Sequence, residues 1–421
     1  MKPSKAAKVL SAAKLRPFDF SSTTKRNVGL LISYHGAGFR GLARQPKYIN
    51  TIEERIVEAL ITTRLIGPEI NEHQTSLDKA ARTDKGVSSS HNVVSLWLRS
   101  NSKEANPDLG IYPFMSRTCN DLPSKKGHAP LATSRTGVES RLDIDDASIK
   151  QELPYVVMLN RHLPPTIRIL AWSPVSGFDA RRHALQRTYE YSFPAHGIDL
   201  ELLTRATDRF VGTHDFSYFT DYSKSSKTNI RTISEMTIRE EVYGSIRLFV
   251  VTIKAPSFVW HQIRNMMTVL IRVGQGLESE EVITQMLETK PEKDAKTRPL
   301  FGMASPLPLI LTNVEYPPSS VKWSFPEKNV EYPPSSVNWI KSVSSKKEDF
   351  RSRLIIEAQR EEFRAVMEAR FWKTVGLHWK NEADVSQNTV MWHDEQIVKS
   401  LRGSGAYVPI LHRPYRPWGP Q

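Results

Sequence analysis

Cysteine is nearly absent: Cys119 is the one thiol in 421 residues. A single thiol closes no disulfide within the chain and builds no Cys-based zinc site. It lies in the loop-like stretch "MSRTCNDLPSKKG", a poor setting for a catalytic thiol. Redox compartment is therefore unconstrained, and an intracellular home is the default expectation. Long apolar runs are missing as well. Nothing approaches the ~20 residues of a membrane-crossing helix, so no membrane partner is expected. No H-x-x-x-H or comparable ligand cluster occurs, so no metal is expected. Acids are also in short supply, with 45 Asp and Glu against 58 Lys and Arg, a net charge of +13. Such an excess suits a polyanionic partner, most simply nucleic acid. A basic soluble protein with no such role fits the charge equally.

What is present reads as an α+β chain with five stretches. Residues 1–25 form a basic arm with Lys2, Lys5, Lys8, Lys14 and Arg16 and no acid before Asp19. It fits a mitochondrial presequence or a flexible arm that touches phosphates. Residues 26–100 hold a strand at "NVGLLISY", a Gly-rich turn and a helix. That helix has Thr51 as N-cap and Glu54 three residues on, the pattern of a capping box. Ile52, Ile56, Val57, Leu60 and Ile61 share one of its faces. A strand at "NVVSLWL" follows. Residues 101–152, rich in Ser, Pro, Lys and Asp, read as a flexible insertion.

Order resumes over 153–316, with strands at "TIRILAW", "RTYEYSF", "TISEMTIREEV", "IRLFVVTIKA" and "LPLILTNVEY". Asp199 caps one helix there, and "VWHQIRNMMTVLIRVG" forms another, buried one. In 317–421, "NVEYPPSSVNW" (329–339) repeats "NVEYPPSSVKW", which starts at 313, too short a period for a solenoid. A charged amphipathic helix and a tail follow.

Four motifs could carry chemistry. "HGAGFRG" contains a literal G-x-G-x-x-G at Gly36, Gly38 and Gly41. A dinucleotide site needs the last glycines to open a helix, and Pro46 intervenes before the helix start near Thr51. The glycines read instead as a tight loop near a ligand backbone. Ser88 or Ser89 with His91 has no nucleophile elbow around it, and His214-Asp215 reads as a turn with a satisfied histidine. The fourth motif is "ARTDKGVSSSH", residues 81–91. Arg82 and Asp84 are two apart, so on extended backbone they point to one side. A guanidinium beside a carboxylate favours its ionised form, which can serve as a nucleophile. A surface ion pair at a turn accounts for the same residues, and this window alone favours it.

Other windows shift that balance. "YHGAGFRGLARQ", "ARTDKGVSS", "FDARRHALQRTYEY", "FVGTHDFSYF" and "FVWHQIRNMM" together resemble the TruA family of tRNA pseudouridine synthases, in the family's order. They cover most of residues 27–100 and 153–316. "NTIEERIVEALITTRLI", "LNRHLPPTIRILAWSPV" and "VGTHDF" are most similar to the eukaryotic branch acting at tRNA positions 38 and 39. The resemblance implies Asp84 as nucleophile, Arg82 near the target nucleotide, and Tyr189 stacking on the uracil with a share in proton transfer. It implies Arg264 as the ion-pair partner of Asp84, and Arg181 as an RNA contact. Arg182 and Arg187 join it as candidate phosphate contacts.

It further implies two ferredoxin-like or RRM-like halves forming a mixed, mostly antiparallel sheet, with flanking helices and a central basic cleft. Partners would be tRNA and a second copy of the chain, with no cofactor. The compartment would be nucleus or cytoplasm or both, with a mitochondrial pool left open. The alternatives are a silent RNA-binding relative and a family member acting at another tRNA position. Ala81, Ser89 and "GLAR" replace the more usual Gly, Ala and Gly-Phe-Ala-Ser, departures that touch loop geometry and not the nucleophile.

Overall fold

The computed structural model describes residues 18–45, 50–67, 77–106, 110–114, 149, 151–164, 166–175, 178–220, 228–243, 246–288, 297–299, 301–318, 320–325 and 415–417. Most of the basic arm, Pro46, the centre of the insertion, the second repeat copy and the amphipathic helix lie outside the described residues. The chain forms two compact units, Met1–Leu185 with Asn313–Gln359, and Gln186–Thr312 with Arg360–Gln421.

The first unit is built on β1 (Thr24–Tyr34). With it come α1 (Ile52–Thr62), β2 (Asp78–Lys79), β3 (Ser88–Ser100), β4 (Ile111–Pro113), α2 (Tyr155–Asn160) and β5 (Ile167–Pro174). β1 pairs antiparallel with β3 on one side and with β4 and β5 on the other. Its sequence explains the central place, because it is apolar on both alternations. Val28, Leu30 and Ile32 join Ile52, Ile56 and Leu60 of α1 in one core. Leu31 enters a second core with Val93, Leu170 and Phe178, covered by Tyr316 and Trp323. The first repeat copy thus acquires a structural use that its sequence did not reveal. It closes the second face of this sheet, and Ser324 bridges to Trp172.

Three expectations change here. The stretch 101–152 contributes β4 near its start and the buried Glu152 at its end, where Arg26 pairs with it at 3.1 Å. Residues 153–185 belong with the first unit, because β5 runs along Val28–Tyr34 of β1. The capping box is half made. Thr51 accepts from the Glu54 backbone N–H, but the Glu54 carboxylate turns to Arg44 at 2.6 Å.

The second unit contains β6 (Gln186–Pro194), α3 (Leu200–Asp208), β7 (Gly212–Asp215), β8 (Ile230–Ile233), β9 (Glu235–Tyr243) and β10 (Ile246–Ala255). After them come α4 (Gln262–Gly274), α5 (Glu281–Glu288), β11 (Thr297–Pro299), β12 (Leu309–Glu315, of which residues 309–312 belong to this unit) and β13 (Tyr415–Pro417). β10 pairs antiparallel with β6 and β9, and β11 pairs with β13. "TISEMTIREEV", expected as one strand, breaks at Ser234 because its two parts have different partners. β8 pairs with β7, and β9 pairs with β10. Asp199 caps α3 as expected, accepting from Leu202 N–H. α4 starts only at Gln262, because His261 adopts a left-handed backbone (φ 63°) that ends the extended approach.

Candidate active site

The Asp84 loop is assembled from two loops of the first unit. Val87 N–H donates to Asp84 C=O at 3.1 Å, closing a four-residue turn. Gly86 holds φ 84° there, the left-handed value that the third residue of a type II turn needs. The polar-turn reading of this window is therefore correct as geometry, and it presents Asp84. Thr83 is buried, Arg82 and Lys85 are exposed, and Asp84 lies between these extremes. Arg82 and Asp84 are thus both more exposed than the Thr83 between them.

Thr83 faces a buried polar network. Its hydroxyl shares a 2.8 Å hydrogen bond with the Tyr34 phenol. Asn92 Nδ2 donates to the same phenol oxygen at 3.1 Å. The Asn92 amide also accepts from Ala81 N–H at 3.3 Å and donates to Ala81 C=O at 3.0 Å. Burial pushes the Tyr34 phenol up to about 12, with its bonds to Thr83, Asn92 and Ser89 opposing.

The glycine loop serves this turn directly. A Cβ on Gly36 would lie 2.0 Å from Val87 O, and one on Gly41 would lie 3.0 Å from Thr83 O. Leu42 N–H donates to Thr83 C=O at 3.1 Å. The close backbone neighbour expected for these glycines is the Asp84 loop itself, where the sequence suggested a ligand. Ser88 is engaged by Gly36 N–H at 2.9 Å and Ser89 by His91 N–H at 3.2 Å, so both serines are occupied in holding backbone.

In the second unit, Tyr189 sits on β6 opposite Ile253, with its ring edge-on to Phe258 at 5.3 Å. Arg264 lies in the first turn of α4, and its Nε donates to Ala304 C=O at 2.7 Å. Tyr191, on the same β6 face as Tyr189, is fully buried. Burial raises its phenol, and the Arg264 charge opposes that rise. His214 Nε2 bonds Val211 C=O at 2.9 Å, the satisfied histidine expected, although on a strand and not a turn.

The arginines divide. Arg181 and Arg182 are exposed in the first unit, their backbone N–H groups held by Asp179. Arg187 differs from its expected role as a phosphate contact. It is 8% exposed and donates to Pro256 C=O, so it braces the fold. Tyr34 and Asn92 were missed from sequence. The available signal was an Asn inside "HNVVSLWL", since Asn is depleted from strands unless its side chain has a task.

Among known proteins, residues 206–317 match the family model described as tRNA pseudouridine synthase. The chain is 32% identical over 323 residues to a Bos taurus protein named tRNA pseudouridine(38/39) synthase, covering 74% of this chain and 59% of that one. A Saccharomyces cerevisiae protein of the same name is 32% identical over 324 residues, covering 75% and 63%. A Caenorhabditis elegans protein named as a probable tRNA pseudouridine synthase is 30% identical over 328 residues, covering 75% and 73%. The chain therefore spans about three fifths of the length of the mammalian relatives it matches.

Proposed function

Because the chain belongs to the tRNA pseudouridine synthase family, we propose that it isomerises uridine to pseudouridine in tRNA, at positions 38 and 39 of the anticodon stem-loop. The observation that carries this reading is the presentation of Asp84. Asp84 is half-buried at the start of a glycine turn, next to the buried Thr83 and two residues from the exposed Arg82.

The reaction breaks the N1–C1′ bond, turns the retained uracil and joins C5 to C1′. C5 loses a proton and N1 regains one. Nothing is oxidised, hydrolysed or donated, so the proposal includes no cofactor and no metal. Asp84 is the nucleophile, and attack at uracil C6 or at ribose C1′ both fit this role. Tyr189 stacks on the loosened base and shares in proton transfer. Arg264 pairs with Asp84, and Arg82 contacts the target nucleotide. Extruding that nucleotide costs a few kcal/mol. Contacts from Arg181 and Arg182 to phosphates offset this cost in a salt-dependent way. The same reading extends to two ferredoxin-like halves with a central basic cleft, a homodimer on tRNA, and action in nucleus or cytoplasm with a mitochondrial pool.

The test is incubation with tRNA carrying uridine at 38 and 39, then mapping of pseudouridine by chemical modification and primer extension. Product at those positions is expected. No product overturns the enzyme reading, whereas product elsewhere overturns only the positions. Asp84→Asn should lose product and keep tRNA binding; turnover by that variant would remove Asp84 as nucleophile.

A further inference from the structure

We infer that Tyr34 and Asn92 are positioning residues that fix the direction in which Asp84 faces. The inference rests on the reading of Asp84 as nucleophile. Neither residue is placed to touch RNA, since Asn92 is 0% exposed and Tyr34 3%. Whatever they do for the reaction passes through the loop they hold.

The loop has a register problem. On extended backbone a slip of one residue exchanges the two faces. Such a slip would turn Asp84 inward and Thr83 outward. Asn92 opposes it by acting as a substitute strand. Its carboxamide accepts from Ala81 N–H and donates to Ala81 C=O, which continues the antiparallel ladder one step past the Ala80 N–H to Val93 C=O bond of 2.9 Å. Tyr34 then fixes Thr83 by its side chain at 2.8 Å. The 3.1 Å bond between Asn92 and Tyr34 joins the two holds into one network. The β1–β3 register shifts between Ile32 and Tyr34, an irregularity of the kind that re-aims a strand end. Here it places the Thr83 hydroxyl and the Asn92 amide at the same Tyr34 oxygen.

Four variants test this, each measured by single-turnover pseudouridine formation, tRNA affinity, thermal midpoint and amide hydrogen exchange of residues 81–87. Tyr34→Phe keeps the ring and removes the hydroxyl. Its rate should fall about ten- to hundredfold, the scale for a misplaced reacting group, with tRNA affinity unchanged. Exchange in the loop should quicken. Thr83→Val should slow the reaction too, and the double variant should be no slower than Tyr34→Phe alone, because Tyr34→Phe already removes the bond to Thr83. Thr83→Ser should restore the rate. A wild-type rate for Tyr34→Phe, or additive losses in the double variant, would overturn the inference. So would a loss confined to tRNA affinity. If the unaltered protein makes no pseudouridine, the reading of the site fails; unchanged loop exchange in Tyr34→Phe then separately rejects the hold of Tyr34 on the loop, and quickened exchange upholds it.

Discussion

Gly36→Ala isolates the close approach on which the candidate site is built. The backbone of Gly36 is not left-handed, so alanine fits its torsion angles. Space is the obstacle. The new Cβ would sit 2.0 Å from Val87 O and 2.4 Å from Val87 C, and ordinary contact begins at 3.4 Å. The glycine loop and the Asp84 turn must therefore separate by about 1.4 Å at that point. Overpacking of this kind costs about 1–3 kcal/mol. For a unit of this size each kcal/mol lowers the melting midpoint by roughly 2–4 °C. A displacement near 1 Å at a reacting group costs about a hundredfold in rate. Gly38→Ala is the control. Gly38 has φ 87° and nothing within 4 Å of the added Cβ. It should cost about 1–2 kcal/mol through backbone strain alone and leave the turn in place. Thermal melts and single-turnover pseudouridine formation on both variants give the comparison. The expected result is similar destabilisation with the rate lost only in Gly36→Ala. A wild-type rate for Gly36→Ala, or equal rate losses in both, would refute the argument.

Glu152 accepts from Arg26, the Ser100 hydroxyl and the backbone N–H groups of Asn101 and Leu153, and both ionic side chains are at most 3% exposed. Glu152→Ala should cost about 3–5 kcal/mol in urea unfolding, and adding Arg26→Met should recover part of it. Alkaline pH gives a second check. The Tyr34 phenol stands at about 12 in the fold against an ordinary 10, so its stabilising effect is complete below pH 10 and is lost as pH rises toward 12. The loss should total about 3 kcal/mol, and the difference in thermal stability between the protein and Tyr34→Phe should follow it. Finally, Arg181→Ala and Arg182→Ala should each lower the salt slope of tRNA binding by about 1, read from filter binding at several salt concentrations.

The elements that could be read from sequence are those whose apolar pattern has one explanation. β10 has the bounds its apolar run predicts, and α1 buries the face its periodicity marks. The break at Ser234 was not legible, because both halves of that run have strand character and only the choice of partners divides them. Glu54 satisfies a capping pattern, yet Arg44, ten residues away, claims its carboxylate. In the site, the Asp84 turn was legible from Gly86. The groups behind it were not. Tyr34 and Thr83 are 49 residues apart, and Tyr34 and Asn92 are 58 apart. Their meeting depends on strand register, which no local window contains. The roles of Tyr189 and Arg264 came from resemblance, since nothing in their own windows distinguishes them from packing residues.

The cover that Tyr316 and Trp323 give to the first unit has a consequence for synthesis on the ribosome. The apolar patch around Phe178 and Val175 emerges early, but Tyr316, which bonds Ala180, follows 136 residues later. At about 5–20 residues per second, that patch waits roughly 7–27 s for its cover. During this interval the nascent chain exposes a sticky face that the finished protein does not. A fragment ending near Leu185 would keep that face open permanently, and should be recovered aggregated or bound to chaperones.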